Sequence, residues 1–486
     1  VTVRQVLVVA MLSAATALAA PSADEPAPPR RAIDTAAAWA DADTARALAA
    51  AERHRESARA FIAALNHDAR LVGEICDELA FQKLWNDEHD RAIFYFRRYL
   101  ARRPGEANRD ARRGLALACS WSGRQGQAIQ LYRGLVREDS TDLDARFGLG
   151  RSLIWDNRLR EGHGVLRDLE VGHPGTGPGR DARDFLLVVL DEYEPHLDVR
   201  WDGIWDSDEL TIHRLTARGR TNLGSVLPEV GAGVAFYSQP GRPSLTAPRL
   251  SLGVVAPLAH DWAVHAYGWV DRFTSDGPLA AGDGDLDWTR LGGDAWLTWL
   301  ASPRLRVDLG AASQVVETYD AFADHLHYEP VTLSADWRFA PRWTLSGAAQ
   351  SASYSDGNLR RRGSAQLWWR RPGTWEIALG PTAYAMDYEE PYPGGYWAPD
   401  WVRNGSLAAR IGRRWPRLAL AIDGSYGLEK ELGSDAIGVG GVHGHLGWRF
   451  APAWLVGADL SHSRSRFTSD SGYNRTAASI RVRVLL

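Results

Sequence analysis

Leu305-Arg306-Val307-Asp308-Leu309-Gly310-Ala311-Ala312 alternates residue by residue. Leu305, Val307, Leu309 and Ala311 fall on one face, and Arg306, Asp308, Gly310 and Ala312 on the other. A period of two marks an extended strand, whose successive side chains point to opposite sides. The pattern returns in Trp454, Val456, Ala458 and Leu460 against Leu455, Gly457, Asp459 and Ser461. The chain closes on it, with Ile480, Val482 and Val484 against Ser479, Arg481 and Arg483. Such segments recur from His196 to Leu486, with Trp and Tyr near their ends. Strands of about 9 to 14 residues with one apolar face predict a transmembrane β-barrel.

The connections test this expectation. Short ones at Ala301-Pro303, Ala340-Arg342, Arg371-Gly373, Arg414-Pro416 and Ala451-Ala453 alternate with longer Gly/Asp/Ser-rich stretches. The longer ones include Thr274-Asp287, Tyr319-His327, Asp387-Asp400 and Phe467-Gly472. Short turns on one side and long loops on the other are what a membrane barrel requires. The count is sixteen strands, or fourteen if the second and third segments are misread. Starts fall near Glu229, Arg249, Trp262, Trp288, Leu305, Trp343, Leu359, Trp401, Arg417, Trp454 and Tyr473, among others. An even count leaves both barrel ends on the short-turn side. A propeller would repeat every ~40 residues, and no such repeat is present. A β-sandwich would bury its apolar face and has no need of 17 Trp after residue 196, out of 21 in the chain.

Upstream the pattern changes. Residues 1–19 read as an export signal: Arg4, an apolar run from Val6 to Leu18, and small residues at Ala17 and Ala19. A Pro/Ala-rich tether occupies 20–33. Residues 34–172 read as helix pairs carrying an internal repeat. Leu79, Trp85, Ala92 and Phe96 align with Leu115, Trp121, Ala128 and Tyr132, and these with Leu149, Trp155, Gly162 and Leu166. Small residues at Ala92, Ala128 and Gly162 admit a neighbouring helix, and the apolar positions fill the seams. The spacing is that of tetratricopeptide repeats, with Pro104 at a helix end. Such an array offers a concave surface to a peptide or protein, or serves only as a spacer. Residues 173–195 form a linker with one helix, Arg183 to Tyr193, ended by Pro195. The fold class is therefore an N-terminal α-solenoid followed by an antiparallel barrel over 196–486.

Composition excludes other classes. The net charge of -4 gives no reason to expect a nucleic-acid partner. The only lysines are Lys83 and Lys430, so arginine abundance reflects coding bias rather than chemistry. Cys76 and Cys119 form no CxxC motif and read as buried, unbridged residues. No metal or cofactor is expected. His265, His443 and His445 lie in strands, but no G-x-S-x-G nucleophile motif is present, so no enzyme is expected.

If the apolar face meets lipid, the other face lines the lumen. The first strand then contributes Asp198, Arg200 and Asp202, and the second Arg214, Arg218 and Arg220. Arg306, Asp308, Asp336 and Arg338 follow on the seventh and eighth. Arg370, Glu376, Arg417, Asp423 and Asp459 follow, and the last strand adds Arg481 and Arg483. Ten arginines face seven acids. Two readings stay open: a hydrated channel suited to a polar or anionic polymer, or charges paired across a narrow, filled lumen. Ser355-Asp-Gly-Asn358 reads as a tight external turn. Arg360 to Arg362 behind it read as a solvated charge run or a contact for lipopolysaccharide phosphates.

The order of parts resembles the outer-membrane exporters of exopolysaccharides: the poly-N-acetylglucosamine porin, the cellulose-export subunit and YaiO-type barrels. Local matches are Tyr354-Ser-Asp-Gly-Asn358, Trp205-Asp-Ser-Asp208 and Gly395-Tyr-Trp-Ala-Pro399. The resemblance implies a Gram-negative outer-membrane protein with its repeats in the periplasm. It also implies a lipid environment, a periplasmic protein partner and a polysaccharide cargo. The surface-lipoprotein assembly modifiers share the order of parts, so export or assembly of surface proteins is the alternative. A scaffold or phage receptor without transport is a third.

Overall fold

A computed structural model describes residues 33–486 except 104–107, 190–192, 260, 278–284, 303, 372, 392–393, 416 and 466–472. The expected export signal, nearly all of the tether, Pro104 and the loop Phe467-Gly472 lie outside the described residues.

The helical part comprises α1 (Thr35–Ala50), α2 (His54–His67), α3 (Val72–Trp85), α4 (His89–Arg102), α5 (Arg109–Trp121), α6 (Gln125–Glu138), α7 (Leu143–Trp155), α8 (Leu159–Gly172) and α9 (Gly177–Val189). Side-chain caps set two of the starts. Asp34 accepts a hydrogen bond from the Ala37 amide (3.0 Å) and Asp142 one from the Ala145 amide (2.9 Å). Consecutive helices pair into hairpins, and the seams are made by large residues against small ones. Phe96 and Tyr132 point from α4 and α6 into the next hairpin. A Cβ on Gly114 would stand 2.4 Å from the Phe96 ring, and one on Gly148 would stand 2.3 Å from the Tyr132 ring. Leu79, Leu115, Leu149, Ala92, Ala128 and Gly162 are all buried in these seams.

The repeat tryptophans sit differently. Trp85 remains 49% exposed and Trp155 39%, and Trp85 meets Trp121 edge-on at 5.7 Å. Each ends its helix at a turn, so it edges the seam rather than filling it. Helix α9 starts at Gly177, inside the glycine-rich run expected to be linker and ahead of the expected start at Arg183. Pro178 falls in its first turn, where the missing amide costs nothing. Cys76 and Cys119 are free and buried, and burial pushes the Cys76 thiol up to about 11.

The barrel strands are β1 (His196–Asp206), β2 (Thr211–Arg220), β3 (Leu227–Ser238), β4 (Leu245–Ala259), β5 (Trp262–Ser275), β6 (Trp288–Ser302), β7 (Leu305–Val315) and β8 (His327–Ala340). The second half is β9 (Trp343–Tyr354), β10 (Leu359–Arg371), β11 (Glu376–Tyr388), β12 (Trp401–Arg414), β13 (Leu418–Glu431), β14 (Ile437–Ala451), β15 (Trp454–Ser465) and β16 (Tyr473–Leu485). Each pairs antiparallel with its neighbours in sequence, and β16 returns to β1 to close the cylinder. Closure removes the unpaired edges that an open sheet leaves. The sixteen-strand expectation holds, and most starts agree to within two residues. Arg249 was placed as a strand start, but β4 begins at Leu245.

The outer face is apolar and uncovered. Leu252, Leu291, Leu309, Leu333, Leu407 and Leu460 are exposed, with Leu291 at 78%. A water-soluble fold hides such residues, whereas a barrel in lipid presents them. Aromatic residues gather where the short turns lie. Trp262 stacks on Trp299 at 5.5 Å, Trp375 meets Trp415 at 6.0 Å, and Phe450 bridges Trp448 and Trp454. Rings with an apolar body and a polar edge collect at such an interface.

The helical part touches the barrel at this turn end. Arg449, at the end of β14, donates to the Leu187 carbonyl of α9 at 2.7 Å. Tyr193 donates to the Gly224 carbonyl in the β2–β3 turn at 2.7 Å. Leu227 of β3 joins the core made by Ile154, Leu166, Leu169 and Leu186. His163 of α8 bonds Glu194, just ahead of β1, at 2.7 Å.

Candidate functional site: the lumen and its loop-end cavity

Strand register decides what faces inward. Asp198, Arg200 and Asp202 on β1 share a face with Arg218, Thr216 and Arg214 on β2. The same alternation puts Arg306, Asp308, Asp336 and Arg338 on the inner face, along with Arg370, Glu376, Asp423, Asp459, Arg481 and Arg483. Arg220 lies opposite Glu229, also inward, and Arg417 directly precedes β13 at the turn end.

Charge pairing follows the wall. Arg483 faces Asp198 across β16–β1 with two bonds of 2.8 Å. Arg220 faces Glu229 across β2–β3 at 2.8 Å, and Arg249 faces Asp271 across β4–β5 at 2.6 and 2.8 Å. Arg410 bonds Asp423 across β12–β13. Arg200 and Asp202 (2.7 Å), and Arg306 and Asp308 (2.9 Å), pair along one strand. All of these join direct register partners or residues two apart. Neighbouring charges on one wall neutralise each other without reaching over the central space. Asp336 accepts from Ser346, and Arg218 lies 3.6 Å from Glu229. Arg370, Glu376, Arg417 and Arg481 have no ion pair among the described residues.

Two loops fold inward at the other end. The β7–β8 connection carries a short helix, α10 (Tyr319–Ala323). Phe322 is fully buried, 4.8 Å from the Tyr237 ring and 5.6 Å from Phe273. The Tyr319 hydroxyl donates to the Tyr237 carbonyl at 3.0 Å. Arg214 donates to Glu317, and Arg242 to Asp320 at 2.8 Å. Thr318 donates to the Gly395 carbonyl in the second inward loop, between β11 and β12. That loop is pinned by Asn358, which is buried and donates to the Glu390 carbonyl (2.8 Å) and the Tyr396 hydroxyl (2.9 Å). The Ser355-Asn358 turn is therefore an anchor for its neighbour. Gly357 has φ +96, which glycine adopts without strain.

Beneath the loops lies a cavity of about 840 Å³. The three motifs that carried the family resemblance meet in its wall: Asp206 and Asp208, Tyr354, and Gly395, Tyr396 and Trp397. Tyr354 stacks on Tyr396 (4.8 Å, 4°) and on Tyr328 (5.4 Å, 19°). Arg360 lies over Tyr328 at 5.2 Å and Tyr354 at 5.8 Å, and donates to Gln350 at 2.8 Å. Arg362 lies over Tyr384 at 5.2 Å. Arg360 and Arg362 thus belong to the lumen, which corrects their assignment to a surface charge run. Only Arg361 points outward, 3.3 Å from Asp387 and 3.1 Å from Glu389. Inward Glu229, Arg249, Asp271 and Arg410 also escaped the sequence reading. Cross-strand Arg–acid register was the missing signal, and it needs the strand pairing.

The strand histidines form a second group. His445 lies 2.8 Å and His443 3.3 Å from Asp459, and Ser479 donates to Asp459 at 3.2 Å. The carboxylate stands between serine and histidine. In a nucleophilic triad the histidine must stand between the other two. His443, Asp459 and Ser479 border a further lumenal cavity of about 590 Å³.

A closed barrel with an apolar exterior and a polar, charged interior is of the outer-membrane channel type. No protein-family model matches the chain, and no curated protein does. Among solved structures it is similar to a "Bacterial polysaccharide outer membrane secretin" (11% identity, 60% of this chain and 98% of that one, TM-score 0.49). It is also similar to OccK11 (OpdR) of Pseudomonas aeruginosa (13% identity, 61% and 97%, TM-score 0.35). A shorter match is to MamA AMB-1 (20% identity, 32% and 84%, TM-score 0.27). At these scores the likenesses are general, and function has to come from this chain's own geometry.

Proposed function

We propose that this protein exports an exopolysaccharide through its barrel, across the outer membrane of a Gram-negative bacterium. The observation that carries the proposal is the pairing of inner charges along the wall. It leaves the lumen wall polar and, under the inward loops, a cavity lined by tyrosine, tryptophan and arginine. Polar walls with flat aromatic faces suit a hydrated chain of sugar rings, which offers hydroxyls at its edges and C–H groups on its faces. The even strand number puts both barrel ends, and the helices, at the turn end. In outer-membrane barrels that end faces the periplasm. The helical hairpins then serve as a tetratricopeptide-type array that recruits a periplasmic protein partner. The barrel acts as a conduit, without a catalytic role.

Planar-bilayer conductance tests the proposal. The full chain should conduct weakly, and replacing 316–326 by a short Gly/Ser turn should raise the conductance several-fold. A barrel that stays closed after this replacement, and after removal of 20–180, is not a pore. Pull-downs with the full chain that return secreted protein clients instead of polysaccharide-modifying proteins would favour the surface-protein alternative.

A further inference from the structure

We infer that the loop-end cavity is a binding station for an acidic glycan, one bearing carboxylates, and that Glu317 occupies one of its two carboxylate seats; this rests on the export function proposed above.

The first seat is Arg214. Its register partners are Asp202 and Ala235, and Asp202 is already engaged by Arg200. Arg214 takes its carboxylate from Glu317, 103 residues further along the chain and on an inward loop. The Tyr237 hydroxyl donates to the same carboxylate at 3.4 Å. A guanidinium and a phenol converging on one carboxylate is a built acceptor site. Here it holds the chain's own acid.

The second seat is Arg360. Its register partners are Ala352 and Tyr388, neither of them acidic. Among the described residues its side-chain partners are neutral: it donates to Gln350, meets the Tyr388 hydroxyl and lies across two tyrosine rings. Its Nε is buried without a hydrogen-bond partner. Most other inner arginines of this wall have a carboxylate beside them. A half-enclosed cation without one has lost water and gained little in return. A carboxylate arriving from the lumen supplies the missing partner.

The same cavity is lined by Tyr396 and Trp397, which give a sugar ring an aromatic face. That face separates an acidic glycan from an acidic peptide. A glycan carboxylate arriving at Arg214 displaces Glu317 and so loosens the loop that narrows the passage.

The test uses the full chain in planar bilayers, with a galacturonate hexamer, a neutral cello-hexaose and a hexaglutamate peptide as blockers. The uronate should block at roughly tenfold lower concentration than the neutral hexamer. Arg360→Gln should remove most of that difference, and Glu317→Gln should strengthen uronate block a few-fold. Heat-modifiable migration on detergent gels checks that each variant has a folded barrel. Because the two variants are expected to act in opposite directions, general damage cannot imitate the pattern. Equal block by both glycans, unchanged in R360Q, overturns the inference while leaving export intact. Stronger block by hexaglutamate overturns the glycan assignment. An open channel that no glycan blocks or crosses overturns the export function itself.

Discussion

Arg483 donates two hydrogen bonds, each 2.8 Å long, to Asp198, which lies 285 residues earlier in the chain. Arg483 is almost fully buried, and the pair sits on the seam where the last strand meets the first. Asp198→Ala leaves a buried guanidinium without its partner, which costs about 3–5 kcal/mol. The expected outcome is a barrel that loses its heat-modifiable gel shift at lower temperature. Replacing both residues by apolar ones of similar size should recover most of the loss.

Gly148 gives Tyr132 the room it needs between hairpins. A methyl group there would stand 2.3 Å from the ring. Gly148→Ala should destabilise the helical part by about 1–3 kcal/mol. Far-ultraviolet circular dichroism should show an earlier helical melt, with the strand signal unchanged. A melt like that of the parent chain would mean the hairpins are not packed as described.

The two faces of the barrel should respond oppositely to charge. Leu407 lies mid-strand on the outer face of β12 and is exposed, whereas Gln366 lies on the inner face of β10. Leu407→Arg should cost about 2–4 kcal/mol of folding free energy in a bilayer, and Gln366→Arg close to nothing. Denaturant titration of folding into vesicles measures both. Similar costs would argue against lipid on the outer face.

Glu194 joins the helices to the barrel through its 2.7 Å bond to His163, which holds its carboxyl below the usual carboxylate range. A depressed folded-state pKa gives stability that is complete above the unfolded value and lost as pH falls through the folded one. Glu194→Gln should therefore cost about 1 kcal/mol near neutral pH, fading once the pH drops well below about 4. Thermal melts of the two chains across that range should converge at the acid end.

Much of the barrel was legible because lipid imposes a simple rule on sequence. Leu305, Val307 and Leu309 must all face hydrocarbon, so period two survives undisturbed in β7. Trp262, Trp343, Trp401 and Trp454 each open a strand because an indole suits the edge of the membrane. The rule weakens where side chains turn inward near a loop. Arg360 and Arg362 read as surface charge because nothing in their neighbourhood reveals the tyrosines contributed by β8, β9 and β11. Trp85 and Trp155 looked like seam residues because a repeat fixes a position without fixing its exposure.

The sequence by itself determined the class of fold, an even strand number and the division into helical and barrel parts. Each of these follows from local periodicity and from turn chemistry, which neighbouring residues set. Only the tertiary structure decided how the inner charges pair. The distance between Arg214 and Glu317, or between Arg483 and Asp198, depends on closure and on a loop folding back. It also decided that Trp205-Asp208, Tyr354-Asn358 and Gly395-Pro399 meet around one cavity. Those contacts join residues far apart in the chain, and their geometry exists only once the cylinder has closed.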